Sequence, residues 1–413
     1  MKRFRTVVNV TIAAVMVLSA TLLTSMRATA APAQASVTLN LASWTTGTAE
    51  GVALKKLIAS FEGKYKTIKI NYQIINGDYT PVMKARITSG TAPDVFYMNS
   101  DVAQDFIRTN TLMNLDFLKS DKSYGFNNLY KNLLAGYIWK GHVYGIPKDY
   151  STLAMWYNKD LFSAAHISKP PTSWSQLQSD ACKLTDKAKK QYGAVISADP
   201  ARWLAFVKAA GGSLLNKNQT KATIDSAAGR TALDFYAGLV KKGCAALPST
   251  VGAGWNGEAF GRTNGAIVFE GNWLTNVMQT TYPSVHWGVT ALPKGPKGYG
   301  NLAFTAAYVM WAHTKHKSEA TTLLKYLTGK DGETRWARLN GYIPSRKDSK
   351  PVAGTQVYIK AVKYSQEWFF PPGFARALTP IGNDIQKVME GSMSTADAIK
   401  DMQSQSQTAL SSP

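Results

Sequence analysis

Apolar residues alternate with polar ones at Val37, Leu39 and Leu41, which predicts a strand ending at Ser43-Trp44. The spacing then changes. Leu54, Leu57, Ile58 and Phe61 fall on one face of a helix. Ile68, Ile70, Tyr72 and Ile74 predict a second strand, closed by the turn Asn76-Gly77-Asp78. Asp94 to Met98 reads as a third, with Asn99 or Ser100 placed to cap the helix after it. Gly193–Ser197 reads as another strand. Near the far end Ala320, Leu323, Leu324 and Leu327 recur at helical spacing, with Ser318 as N-cap and Gly329 as the stop. Strands alternating with amphipathic helices predict α/β lobes with largely parallel sheets. No internal repeat breaks this pattern, and the one biased stretch is the small-residue join Ala28–Ser36.

The segment Tyr144–Phe162, YGIPKDYSTLAMWYNKDLF, departs from simple alternation. Pro147 fixes φ and lacks an N–H, so the residues before it are not expected to continue as a central strand. A polar bridge, Lys148 to Thr152, follows, and the apolar run Leu153 to Tyr157 then predicts a buried strand. Asn158 opens a helical turn. A chain that leaves one packed unit and at once begins a strand in another is a hinge between two lobes, although an ordinary loop and strand would look the same. Trp156 reads as core.

The first residues change the picture of where the chain resides. Lys2, Arg3 and Arg5 precede a mostly apolar Val7–Leu23, and Ala28-Thr29-Ala30 supplies a small-x-small cleavage site. Met1–Ala30 is therefore expected to be a cleavable signal peptide, with Ala33-Gln34-Ala35 as the alternative site and an uncleaved anchor as the alternative fate. No cysteine lies near the cleavage site, so a lipid anchor is not supported, and the exported product is expected to be soluble in the periplasm or outside the cell. Removing the four basic residues of the leader, Lys2, Arg3, Arg5 and Arg27, from a net charge of +21 leaves +17. Such a charge fits an anionic ligand, retention at an anionic envelope, or a generally basic surface, of which the last is favoured. The lysines are scattered, which argues against nucleic acid. Cys182 and Cys244 are the two cysteines, and in an exported protein they read as a disulfide or as two buried thiols.

In α/β lobes ligands bind beyond the carboxyl ends of strands. That rule selects Trp44, Thr45 and Thr46 after the first strand, Asp78 after the second, and Asn99 and Ser100 after the third. The bridge adds Tyr150 and Ser151, and the strand Gly193–Ser197 adds Asp199 and Trp203. Asp78 also reads as a turn residue, and Asp199 as a cap before Pro200. Aromatic planes cover the C–H faces of sugars while short carboxylates and amides bond the hydroxyls, so this residue set suits a neutral carbohydrate.

Five segments in order, the hinge segment above with TAPDVFYMNS (Thr91–Ser100), GGSLLN (Gly211–Asn216), NGAIVFEGNW (Asn264–Trp273) and NGYIPSR (Asn340–Arg346), resemble the extracellular solute-binding proteins of ABC sugar importers. The likeness spans essentially the whole chain after the leader. It implies a two-lobed periplasmic-binding-protein fold with a ligand cleft at a hinge crossed several times. The lobes implied are 36–149 with 300–345 and 150–299 with 346–413. It also implies an oligosaccharide ligand, membrane permease subunits as partners, a monomer, and no cofactor. Among site residues the resemblance makes Trp273 a stacking platform and Asp199 an acidic sugar ligand, shorter than the Glu of the maltose-binding protein. Ala201 replaces an aromatic of that protein, for which Trp203 would substitute. Trp368 and Phe369 fall where relatives place a further aromatic contact, and Tyr342 lies in a motif near the interlobe face.

Enzyme readings find little support. The five histidines form no H-E-x-x-H pattern, and neither a G-x-S-x-G elbow nor a P-loop is present. A glycan-active enzyme needs only two carboxylates and stays as an alternative. So does a binder of an anionic solute such as a uronate or glycerophosphate ester, for which Arg202, Arg346 and Arg376 are the residues to suspect.

Overall fold

Alternation from Val37 onward builds β1 (Val37–Trp44), which pairs in parallel along its full length with β2 (Ile68–Ile75). The helix between them, α1 (Thr48–Lys64), buries Leu54, Leu57, Ile58 and Phe61. On the other side β1 pairs in parallel with β3 (Val95–Asn99), which leads directly into α2 (Ser100–Ile107). The computed structural model describes residues 36–44, 48–76 and 78–411, so the expected leader and Thr45 and Thr46 lie outside the described residues.

The hinge differs from its sequence reading. Gly145–Thr152 is one unbroken strand, β4, running straight through Pro147. The proline is tolerated because β4 lies on the sheet's edge, paired only with one strand, and the register slips beside it between Ala306 and Ala307. A further strand, β5 (Ala154–Asn158), carries the buried Trp156, and the Asn158 side chain caps the following turn by accepting from the N–H groups of Asp160 and Leu161.

In the second lobe β5 is the centre of a three-stranded sheet between β6 (Ile267–Glu270) and β7 (Trp287–Thr290), both antiparallel to it. The expectation of largely parallel sheets therefore fails here. Both neighbours run back toward the hinge, and the register sets Glu270 opposite Ala154, two residues past the end of β4. The loop after β6 consequently opens onto the hinge.

The long strand β8 (Asn301–Met310) returns through it. Leu302 packs in the second lobe's core and Ala307 to Met310 in the first's. It pairs antiparallel with β4 and β3, and in parallel with β9 (Ser365–Glu367). The first core gathers β1, β3 and the helix Lys317–Thr328, which His316 rather than Ser318 precedes at the N-cap position. The second gathers the helices Trp174–Leu184, Pro200–Ala209, Ala227–Lys241 and Leu378–Glu390. A disulfide joins Cys182 to Cys244 there. Among the described residues no helix is long and apolar enough to cross a membrane.

Candidate ligand cleft

Both lobes contribute to one cavity of about 300 Å³ at the hinge. The carboxyl ends of β1 and β3 deliver Trp44, Asn99, Ser100 and Asp101, and β4 supplies Lys148 to Ser151 as its floor. From the second lobe come Ala201, Arg202, Asn272 and Trp273, and Phe304, Tyr342 and Trp368 complete the wall.

Of the residues singled out in the sequence, the structure thus brings together Trp44, Asn99, Ser100, Tyr150, Ser151, Trp273, Tyr342 and Trp368. Asp199 stands just behind the wall. Its Oδ1 accepts from the Ala201 N–H as a helix cap, and its Oδ2 pairs with Arg202 at 2.9 Å. Three further candidates do not line the cavity either. Trp203 is fully buried in the second core, because one residue of helical rotation turns it away from the face that Ala201 and Arg202 present. Asp78 is exposed ahead of the helix Tyr79–Thr88, and Phe369 points elsewhere while its carbonyl accepts from Gln219 Nε2. Thr45 falls outside the described residues. Arg346 and Arg376 are occupied away from the cleft, by Asp348 and by the Ala409 carbonyl.

The aromatic wall is held by specific contacts. Trp273 and Trp368 flank Phe304, with ring centroids 5.7 and 5.8 Å from it. The Trp273 indole N–H donates to Glu270 Oε2 at 2.8 Å, and Arg202 donates to the same oxygen at 2.7 Å while its guanidinium lies 5.6 Å from the Trp273 ring. Glu270 is 1% exposed, and its other oxygen accepts from Asn256. Trp44 packs edge-on against Tyr79 and Tyr97.

Five carboxylates and two cations make up the charge of the cleft and its immediate backing. Lys148 contacts Glu50 at 3.2 Å and Asp149 at 2.5 Å, and its ammonium sits 4.8 Å from the rings of both Tyr97 and Trp336. Burial alone would pull the lysine's pKa down, but Asp149 and Glu50 outweigh it and hold the pKa raised. Burial pushes Glu50 up against the pull of Lys148. Arg202 has the equivalent arrangement with Glu270 and Asp199. Asp101 is different: burial pushes it up to about 6, against the Trp368 indole hydrogen bond and two backbone N–H groups. Asp101 Oδ1 and Asn272 Oδ1 are buried without a hydrogen-bond partner among the described residues. Neither Asp101, Asn272 nor Glu270 was reached from the sequence. Asp101 lies one residue beyond the last position taken at the end of β3, so only that arbitrary cut-off excluded it.

Bonds also cross the cleft. Ser100 Oγ donates to the Trp368 carbonyl at 2.5 Å, Asn272 Nδ2 to the Gly341 carbonyl at 3.0 Å, and the Gly373 N–H to Asp105 Oδ1.

Comparison with known proteins agrees with this fold. A binding protein of Brucella abortus (strain 2308) is 26% identical over 305 residues, covering 72% of this chain and 74% of the relative. The substrate-binding protein of an ABC transporter from Listeria monocytogenes, solved with cycloalternan, superposes with a TM-score of 0.83 at 21% identity over 91% of this chain and 99% of its own. A solute-binding protein from Thermotoga lettingae bound to α-D-tagatose gives 0.83 at 24% identity, over 91% and 100%. The model of the bacterial extracellular solute-binding protein family matches residues 56–364, and the chain belongs to that family.

Proposed function

We propose that this protein is the extracytoplasmic binding component of an ABC importer, capturing a saccharide between its lobes and presenting the closed form to a membrane permease. One observation carries the reading: a cavity enclosed by both lobes is walled by Trp44, Trp273, Trp368 and Phe304, with amide and hydroxyl groups of Asn99, Asn272 and Ser151 among them. Flat apolar faces alternating with polar groups match a pyranose ring, whose C–H faces and hydroxyl belt need both. The volume lies at the lower end for small-molecule clefts and suits a ligand of one or two rings. Relatives whose structures hold cycloalternan or tagatose support the same class.

The charge arrangement weighs against the alternatives. Both cleft cations are already neutralised by carboxylates, which leaves no spare positive charge for a uronate or a phosphate ester. Glu50, Asp149 and Glu270 are committed to those cations, which removes them as the acid and base of a glycosidase. In this reading Met1–Ala30 exports the chain and Ala31–Pro413 acts as a monomer.

The test is a thermal-shift and calorimetric screen of the mature chain, unfolded and refolded to strip bound solute, against neutral mono- and oligosaccharides. Native-state binding raises the melting temperature by mass action. Trp273→Ala is expected to weaken the sugar that binds by about 1–3 kcal/mol, the loss of one stacked aromatic. Unchanged affinity in a folded variant contradicts the assignment.

A further inference from the structure

The molecule is strongly basic, at +21 over the whole chain, yet its cleft is acidic. Each cleft cation is bracketed by two carboxylates, Lys148 by Glu50 and Asp149, and Arg202 by Asp199 and Glu270. Asp101 adds a fifth carboxylate with no ion-pair partner among the described residues. Its Oδ1 has no hydrogen-bond partner among the described residues, and neither has Oδ1 of the 1%-exposed Asn272 from the opposite lobe. Closing the lobes therefore buries an anion that no cation pairs in a cavity walled by three indoles and a phenyl ring. A carboxylate set against aromatic faces attracts a cation, through charge and through the ring quadrupoles.

We propose that the ligand carries a protonated amine, so that the cleft selects an amino sugar whose ammonium group sits against Asp101 and whose hydroxyls donate to Asn272. This rests on the saccharide reading above and narrows it. A hydroxyl also hydrogen-bonds a carboxylate, but it leaves the excess negative charge in place, whereas an ammonium offsets the unit that Asp101 contributes. An acidic sugar adds to the excess and is rejected. The groups facing Asp101 are the Trp368 indole N–H from beyond β9, Asp199 across the cleft, the Tyr137 phenol, and the N–H groups of Asp101 and Val102 at the start of α2. Burial first, and Asp199 after it, resist ionisation, so the carboxyl ionises through a pH near 6 and is mostly charged at neutrality.

The experiment is isothermal titration of the refolded mature chain with four matched probes: glucosamine, N-acetylglucosamine, glucose and glucuronate, each as monosaccharide and as β-linked and α-linked disaccharide. At pH 7 the glucosamine probe is expected to bind about tenfold or more tighter than its acetylated and neutral counterparts, the scale of one charge-assisted contact. At pH 5 the amine keeps its charge while Asp101 loses its own, and the ratio falls toward one. Asp101→Asn abolishes the ratio at pH 7. Neutral probes binding as tightly as the amine, a ratio unchanged at pH 5, or a preference that survives in Asp101→Asn overturns the inference while leaving the saccharide reading in place. Binding of no probe in any series overturns both. The pH arm uses the unmodified protein, so the result does not depend on the variant folding.

Discussion

At the scale of single residues, Glu270 holds the cleft together more than any residue that touches its interior. One oxygen accepts from Trp273 and Arg202 and the other from Asn256, and the residue is almost wholly buried. Removing Glu270 leaves the buried Arg202 with Asp199 as its remaining partner and the Trp273 indole N–H without its acceptor, which is costlier than removing both charges together. Glu270→Ala is therefore expected to destabilise the protein by about 3–5 kcal/mol, read as a lower urea midpoint at unchanged m. Arg202→Met combined with Glu270→Leu should recover most of that loss, and a double variant as unstable as the single one contradicts the account. Sequence reading could not reach this residue. Glu270 lies inside an apolar run, and nothing in Ile267–Glu270 signals that Arg202, so distant along the chain, arrives beside it. Trp273, three residues on, was singled out because the resemblance places a stacking aromatic at the end of the segment NGAIVFEGNW, and it lines the cavity. Trp203 was misplaced for a related reason: the position of a helix can be read from sequence, but its rotation about its own axis is set by what the helix packs against.

Elements were more legible than their partners. The periodicities of Val37–Leu41, Leu54–Phe61 and Ile68–Ile74 place β1, α1 and β2 close to their observed bounds, because each depends only on neighbours along the chain. Strand direction depends on distant segments, and so the antiparallel sheet around β5 was missed. Pro147 misled for the same reason, since its cost vanishes on an edge that only topology reveals. The disulfide belongs to this scale. It ties the end of the helix Trp174–Leu184 to the turn after Ala227–Lys241, beside the short parallel pairing of Ala194-Val195 with Ala245-Ala246. Closing a separation of 62 residues restricts the unfolded chain, and the chain-entropy model puts that at about 4 kcal/mol. Replacing Cys182 and Cys244 together by serine should lower unfolding stability by about that amount. Sugar affinity should change little, because neither residue lines the cleft. Equal stability of the oxidised protein and the double-serine variant would show that the bridge adds nothing.

For the whole molecule, the lobes are linked by β4, β8 and the chain that follows Asn340, so closure is expected to be a rotation about several strands held in fixed register. Such a two-state motion responds to any contact formed only when the lobes meet, whether or not it touches ligand. The bond from the Gly373 N–H to Asp105 is expected to be one: Asp105 lies on α2 in the first lobe, Gly373 adjoins Phe370 and Phe374 of the second core, and neither residue lines the cavity. A hydrogen bond to a charged acceptor contributes about 1.5–3 kcal/mol. Its loss in Asp105→Ala should shift the equilibrium toward open lobes by about tenfold or more. Apparent ligand affinity is the intrinsic affinity scaled by the closed fraction, so it falls by at most that factor although every ligand contact survives. Small-angle scattering separates this from a damaged site. The ligand-free variant should have a larger radius of gyration than the parent, and the two should coincide at saturating sugar. If affinity drops by more than that factor, or the radii at saturating sugar differ, Asp105 acts on the site itself, and closure is not the step its bond controls.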